Sequence, residues 1–367
     1  MKNIIHLASV HNRTDNRVFY KQCIDIASNG FSVRLIVADG LGNKVLNGVK
    51  IIDLSFMQSK SRFLRIFFTS PYVTFKTLRM KADLYHIHDP ELLFYFRLFS
   101  IFLRPKKVIF DMHENLSEQI KSKNWIPQLL RIPLSYLVKK YEEFNLKNLP
   151  VIFAEKSYSN HFPNISKHET VLNYPKSIWI NPVQENKINK IPIIGYVGRV
   201  GLDRGADILI NAVAKINKNN TQLHLQLIGK IPSEVKNMID FKYLVEKNLI
   251  DCPGFITNDK VVKYVHNWDI GFCVLKNNPN FIESYPTKIF EYFASGVPVI
   301  TSNFPLYSEL INNFNGGICV SPESTKDLVE AIYEILNSPD KYKPSFHNEV
   351  LWDSQLSKLL KFYKEII

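Results

Sequence analysis

The sequence predicts an α/β protein of two doubly wound, Rossmann-like domains, each a parallel sheet with helices on both faces. Short apolar runs alternate with segments of helical spacing along almost the whole chain. A polar stretch around 174–190, YPKSIWINPVQENKINK, carries two prolines and breaks that alternation once. The length, 367 residues, exceeds one ordinary domain and suits two, and 46% hydrophobic residues can fill two cores. The first domain is expected over 1–175 and the second over 176–350, facing each other across a cleft. The terminal helix, 351–367, is expected to pack back on the first.

The first domain opens with a strand from Asn3 to Val10, a helix from about Asp15 to Asn29, and the β-rich run FSVRLIVAD. LYHIHD, KVIFDMHE and VIFAE at 151–155 follow as strands separated by helix-spaced segments. After the linker, IPIIGYVGRV reads as a buried strand. Asp203 or Gly205 then starts a helix in which Ile208, Leu209, Ala212, Val213 and Ile216 recur at helical spacing. LHLQLIG, DCPGF, DIGFCVL, PVITS and GGICVS continue the pattern, which closes on the helix STKDLVEAIYEIL. A parallel sheet covered on both faces is the architecture that such alternation specifies. Ligands of these sheets bind beyond the carboxyl ends of the strands, so the residues after each strand are the candidates.

No run approaches the ~20 uninterrupted apolar residues of a membrane-spanning helix. MKNIIHLASV lacks a cleavage-site pattern and reads as a first strand, not a signal peptide. Cys23, Cys252, Cys273 and Cys319 are scattered, with no CxxC pair and no histidine at a metal-ligand spacing, and read as buried thiols in a reducing cytoplasm. Charge is lopsided: residues 1–175 hold 25 Lys and Arg against 14 Asp and Glu, and residues 176–367 hold 21 against 20. A basic half beside a neutral one points to an anionic partner of the first domain. From Ser59 to Lys81, Lys60, Arg62, Arg65, Lys76 and Arg79 are interleaved with aromatic and aliphatic residues. That stretch either lies in a lipid interface or covers the first sheet. No zinc or helix-turn-helix signature supports a nucleic-acid partner, so an anionic membrane surface is expected, with the protein cytoplasmic and peripheral on the inner face of the cell membrane.

Two stretches after strands carry chemistry. In ESYPTKIFEYFASGVPVI, Glu283 and Glu291 stand eight positions apart around a helix start, where Ser284 or Thr287 is a candidate cap and Pro286 suits the first turn. Amides at such an end bind phosphate, and a carboxylate accepts from vicinal hydroxyls. Two glutamates at this spacing are also common on solvated surfaces. In GYVGRVGLDRG, glycines at 195, 198, 201 and 205 allow close approach of a ligand, and Arg199 and Arg204 offer guanidinium forks to a diphosphate. The stretch is not GxGxxG, and the next strand ends in LIGK without an acid for an NAD ribose, which weakens a dehydrogenase reading.

GRVGLDRG, LQLIG and ESYPTKIFEYFASGVPVI in that order, with IHDPELL and DMHEN before them and LWDSQLSKLLKFYKEI at the end, resemble family 4 glycosyltransferases of the GT-B fold. The resemblance covers nearly the whole chain. It implies that Gly198, Arg199 and Arg204 hold the donor diphosphate, with Arg204 standing where Lys is more frequent. Glu291 would accept from the nucleotide ribose and Glu283 would contact the transferred sugar. Backbone amides from Ser284 through Tyr285 to Lys288 would hold the distal phosphate, with Thr287 a hydroxyl donor and Lys288 a charge partner. Ser-Tyr-Pro stands where relatives carry Gly-Phe-Gly. His113 would lie against the donor sugar near the acceptor. At His88 and Asp89, helix capping by Asp89 competes with a place on the acceptor side. At Asp15 and Arg17, an Asp-x-Arg that some family members share, a helix cap plus a surface arginine competes with the same role.

The implied reaction is a retaining transfer from a nucleoside diphosphate sugar, UDP-linked rather than GDP-linked, to a lipid-linked saccharide of a capsule, O-antigen or exopolysaccharide. Arg199, Arg204, Glu283 and His113 are the catalytic candidates. No Asp-x-Asp occurs, so no metal or other cofactor is expected. A UDP-sugar epimerase of the same architecture, or a non-catalytic nucleotide-sugar-binding partner, would share the donor site.

Overall fold

The computed structural model describes residues 1–55, 61–103, 107–121, 123, 126–180 and 191–367. Ser59 and Lys60 of the basic stretch, and 181–190 of the expected linker, lie outside the described residues. The chain divides into two compact units, 1–173 with 352–367, and 174–351.

The first unit is built on β1 (Asn3–Leu7), β2 (Ser32–Val37), β3 (Lys44–Leu46), β4 (Val49–Asp53), β5 (Leu84–Ile87), β6 (Val108–Met112), β7 (Val151–Phe153) and β8 (His168–Thr170). Their order across the sheet is β3-β4-β2-β1-β5-β6-β7-β8. All neighbours run parallel except β3 with β4. That antiparallel pair goes beyond the predicted strands. Its turn is Asn47-Gly48, with φ of 48° and 77°, the left-handed pair that a two-residue hairpin of this twist requires. β1, β5 and β7 are buried nearly throughout, as central parallel strands should be.

The first helix has wide, π-type turns over Asn16–Cys23 and continues as an α-helix over Ile24–Ser28. The helix Trp352–Ile366 returns to this unit and places Trp352, Leu359, Phe362 and Tyr363 in a core with Phe19 and Leu35. Burying each such side chain stabilises the unit by about 1.5–3 kcal/mol. Trp352 Nε1 also donates to Asp25 Oδ2 at 2.7 Å.

The second unit holds β9 (Ile193–Val197), β10 (His224–Ile228), β11 (Ile250–Gly254), β12 (Ile270–Cys273), β13 (Val299–Ser302) and β14 (Gly317–Val320), in the order β11-β10-β9-β12-β13-β14. Every pair is parallel. Cys23 and Cys273 are buried, whereas Cys252 is exposed because β11 is the sheet's edge strand, a correction to the expectation of buried thiols throughout.

In each sheet the strand order reverses beside the unit's first strand. β1 has β2 on one side and β5 on the other, and β9 has β10 and β12. Chains leaving the two strands at a reversal diverge to opposite faces and leave a crevice. Here those segments are 8–15 with 88–90 in the first unit, and 198–205 with 274–286 in the second.

Candidate active site

In the second unit, two loops far apart in sequence are tied together at the β9/β12 reversal. The Lys276 amide donates to the Asp203 carbonyl at 3.1 Å, and Lys276 Nζ pairs with Asp207 at 2.8 Å. The helix that follows runs Thr287–Ala294. Pro286 stands just ahead of its first residue in an extended conformation, and no side chain caps it, so Ser284 and Thr287 do not take the capping role expected of them. From the first turn Lys288 reaches back to the glycine loop, its Nζ 5.2 Å from the centre of the Tyr196 ring. A Cβ added at Gly198, whose φ is +126°, would lie 3.0 Å from Lys288 Cε. Gly198 is thus the glycine that lets a basic side chain meet the loop. Gly195 and Gly205 serve packing instead of a ligand: a Cβ on Gly195 would strike Trp268 at 2.0 Å, and one on Gly205 the Val274 carbonyl at 2.4 Å.

Arg204 lies over the Phe281 ring at 5.4 Å, and its buried Nε makes no hydrogen bond among the described residues. An unsatisfied guanidinium N–H beside a helix start is a ready anion donor. Arg199 behaves differently, with 58% of its side chain exposed and an ion pair to Asp203. Glu291 is 7% exposed and so is not on the helix's outer face, whereas Glu283 is exposed and Tyr285 half-buried.

In the first unit the candidates converge on a residue outside the predicted set, Asp111. It is fully buried and accepts from Arg17 Nη2 at 2.7 Å and Nε at 3.1 Å, from Gln22 Nε2 at 2.7 Å, and lies 2.9 Å from His113 Nε2. Burial opposes its charge, but the Arg17 guanidinium and His113 outweigh that and hold its carboxyl well below the usual carboxylate range. Arg17 also donates to the Val171 carbonyl at 2.8 Å. It is a buried structural cation, not the surface arginine that the sequence left open. Asp15 caps the first helix, accepting from the amides of Arg17 and Val18 at 2.8 and 2.9 Å.

A chain of imidazoles continues from Asp111. His113 Nε2 is 3.2 Å from His88 Nδ1, and His88 Nε2 is 2.9 Å from His6 Nδ1. His86, paired in register with His6, meets the Tyr363 hydroxyl at 2.5 Å. Burial lowers the His6 and His86 pKa values well below normal, and that of His88 to about 3. These rings are therefore neutral; His6 and His88 bond each other, while His86 packs against both rings and bonds Tyr363. His6, His86 and His88, and separately His88, Asp111 and His113, bring metal-ligand atoms within 4.8 Å of one another, a grouping that no sequence spacing announced.

Asp89 does not turn its carboxylate onto its own helix. It accepts from the amides of Ser9 and Val10 at 2.6 and 2.9 Å and pairs with His11 at 2.8 Å, so it shapes the loop after β1. Burial disfavours the charge on His11, but the hydrogen bond and charge of Asp89 prevail and lift its pKa to about 9. Beside this cluster lies a cavity of about 720 Å³. His11, His88, Asp89 and His113 line it together with Arg65 and Glu91, and Phe67, Phe94, Tyr95, Val138 and Tyr141 contribute apolar wall.

Asp111, Gln22, His6 and His11 were absent from the sequence candidates. The available signal was the two-residue period of a strand, which puts Asp111 with His113 and His86 with His88 on one side of the sheet.

Residues 177–346 match the family model described as glycosyl transferases group 1. The capsular polysaccharide biosynthesis glycosyltransferase CapM of Staphylococcus aureus is 26% identical over 265 residues, 63% of this chain and 66% of that protein. Overall the chain spans about half the length of the curated relatives it matches. Sucrose-phosphate synthase of Thermosynechococcus elongatus superposes with a TM-score of 0.77 at 18% identity, over 100% of this chain and 99% of that one. HepE of Anabaena, in complex with UDP and glucose, superposes with a TM-score of 0.70 at 14% identity over 100% of both chains. These two likenesses concern the fold, which is that of GT-B proteins. The match to the group 1 glycosyl transferases therefore lies within the second unit and covers 170 of the 367 residues.

Proposed function

We propose that the protein is a retaining glycosyltransferase of the family 4 type. It transfers a sugar from a UDP-sugar to a hydroxyl of a lipid-linked saccharide at an anionic membrane surface, in capsule, O-antigen or exopolysaccharide synthesis. The second unit takes the donor and the first the acceptor. The observation that supports this best is the meeting of Lys288, at the start of one helix, with Gly198, in a loop 90 residues earlier, while Arg204, later in that loop, keeps an unsatisfied N–H. HepE, with UDP and glucose bound, supports a uridine nucleotide by its likeness of fold.

In this reading the bond between the anomeric carbon and the diphosphate breaks, and its electron pair leaves with the diphosphate. Arg199, Arg204, Lys288 and the helix amides stabilise that charge, which makes the catalysis electrostatic and independent of a divalent metal. The acceptor oxygen bonds to the anomeric carbon on the face the diphosphate leaves, and the phosphate takes its proton. Glu291 accepts from the ribose hydroxyls, Glu283 contacts the sugar, and His113, held by Asp111, is the catalytic candidate that the first unit supplies.

The test is thermal stabilisation by UDP, GDP and NADH of the wild type and of Glu291→Ala. A UDP shift that the variant loses is expected. No shift from either nucleotide at millimolar concentration refutes the reading, and a shift from NADH alone favours a dehydrogenase.

A further inference from the structure

The first unit turns an unusual face to water. In the Gln128–Leu146 helix the amphipathic order is inverted: Leu129, Leu130, Ile132 and Leu137 are exposed, Leu129 to 91%, while Ser135, Glu142 and Asn145 are buried. A helix that hides its polar side and shows its apolar one is built for a partner that is not water.

The same face continues across two neighbouring segments. In the Glu91–Leu103 helix, Ile101 and Phe102 are exposed, and in the turns of 62–69 so are Phe63 and Phe67. Arg97 joins the first two helices, donating to the Phe144 carbonyl at 2.5 Å with its guanidinium 4.0 Å from the Phe144 ring centre. Tyr95 Oη donates to the Ile66 carbonyl at 2.8 Å, which fixes the third segment to the second. Charge accompanies the apolar surface. Residues 61–81, 91–103 and 128–146 hold nine Lys and Arg against three Asp and Glu. Of those three, Glu91 is paired with Arg65 and Glu142 is buried.

We propose that this face rests on an anionic lipid bilayer. The exposed Leu, Ile and Phe side chains enter the boundary between headgroups and acyl chains, and Arg62, Arg97 and Lys139 meet headgroup phosphates. The inference deepens the reading of a lipid-linked acceptor and rests on it. The 720 Å³ cavity is walled by these same three segments, through Ile66, Phe94 and Val138 among others, and is lined as well by His88, Asp89 and His113. An acceptor anchored in that bilayer therefore reaches the histidines without leaving the membrane surface. The sequence assigned membrane contact to the basic first half and left 59–81 open between lipid and core; the inverted helix puts the centre of the proposed contact at 128–137.

The experiment is co-sedimentation of the full chain with vesicles of phosphatidylcholine alone or containing phosphatidylglycerol. Binding is expected only with phosphatidylglycerol, weakening as salt rises, and falling at least about tenfold in Ile132→Ser with Leu137→Ser, whose side chains make too little core contact to alter the melt. Phe102→Ser on the neighbouring helix is expected to weaken it independently. Equal binding by wild type and variants, equal binding to both vesicles, or none to either overturns the proposal. So does a doubling of mass in light scattering that the same substitutions abolish, which would assign the face to a second copy. The UDP shift measured on the same preparation separates the two readings. A retained shift without vesicle binding sinks the docking face alone, and vesicle binding without a shift sinks the donor site alone.

Discussion

The two candidate sites sit at equivalent reversals of strand order but treat charge in opposite ways. In the first unit, Arg17, Asp111 and the histidines are buried and bonded to one another before any ligand arrives. In the second, Arg199 stands largely in solvent and Arg204 keeps an unused N–H. The difference teaches that the first cluster holds loops in place and presents one edge, His113, whereas the second leaves cationic groups available for the anion that our proposal puts there. Stability is expected to follow substitutions in the first, and turnover substitutions in the second.

The largest effect expected is from Asp111→Ala. It leaves the Arg17 guanidinium buried without its partner, a loss of about 3–5 kcal/mol and a fall of about 10 °C in the melting of the first unit. A melt unchanged from wild type would break the comparison, because the network would then hold nothing. Arg199→Ala is expected to change stability by no more than about 0.5 kcal/mol, as exposed ion pairs do. Its turnover should fall about 100-fold or more, with a smaller change in donor affinity. Full turnover by that variant would remove Arg199 from charge stabilisation.

A further effect concerns pH, read by melts at about pH 5, 6.5 and 9. His88 titrates at about 3 when folded and near 6.5 when unfolded, so the unfolded chain takes up the proton first and stability is lost as pH falls below 6.5. His6 and His86 act in the same direction. His11 acts oppositely: its raised pKa gives stability that is full below 6.5 and lost as pH rises through about 9. His11→Gln should flatten the alkaline decline and leave the acid one. If it flattens neither, the His11–Asp89 pair does not shape the loop.

The same contrast explains what the sequence made legible. The second site draws on two short contiguous stretches, 198–205 and 283–291, whose glycines, arginines and helix start can be read along the chain. The buried position of Glu291 and the packing duties of Gly195 and Gly205 could not, because they depend on what Trp268, Val274 and other distant residues bring up against them. The first site draws on positions 6, 17, 88, 111 and 363, which only strand register and a returning helix bring together. Parallel alternation was readable because each buried strand is a short apolar run. The Asn47-Gly48 hairpin carried its signal openly, but its two strands are short and its outer one is exposed, so little apolar patterning flagged it. The inversion of the 128–146 helix was hidden, since apolar spacing shows that one side is greasy and not which way it turns.

The return of the Trp352–Ile366 helix has a consequence for the order of assembly. Domains generally fold as units during synthesis, amino-terminal first. Here Trp352, Leu359 and Phe362 fill the first unit's core, and Tyr363 closes on His86. That unit must wait, its half-built interior open, while the 178 residues of 174–351 are made and can fold. A ribosome-bound chain halted before Trp352 would carry a finished second unit and a first unit still missing one wall.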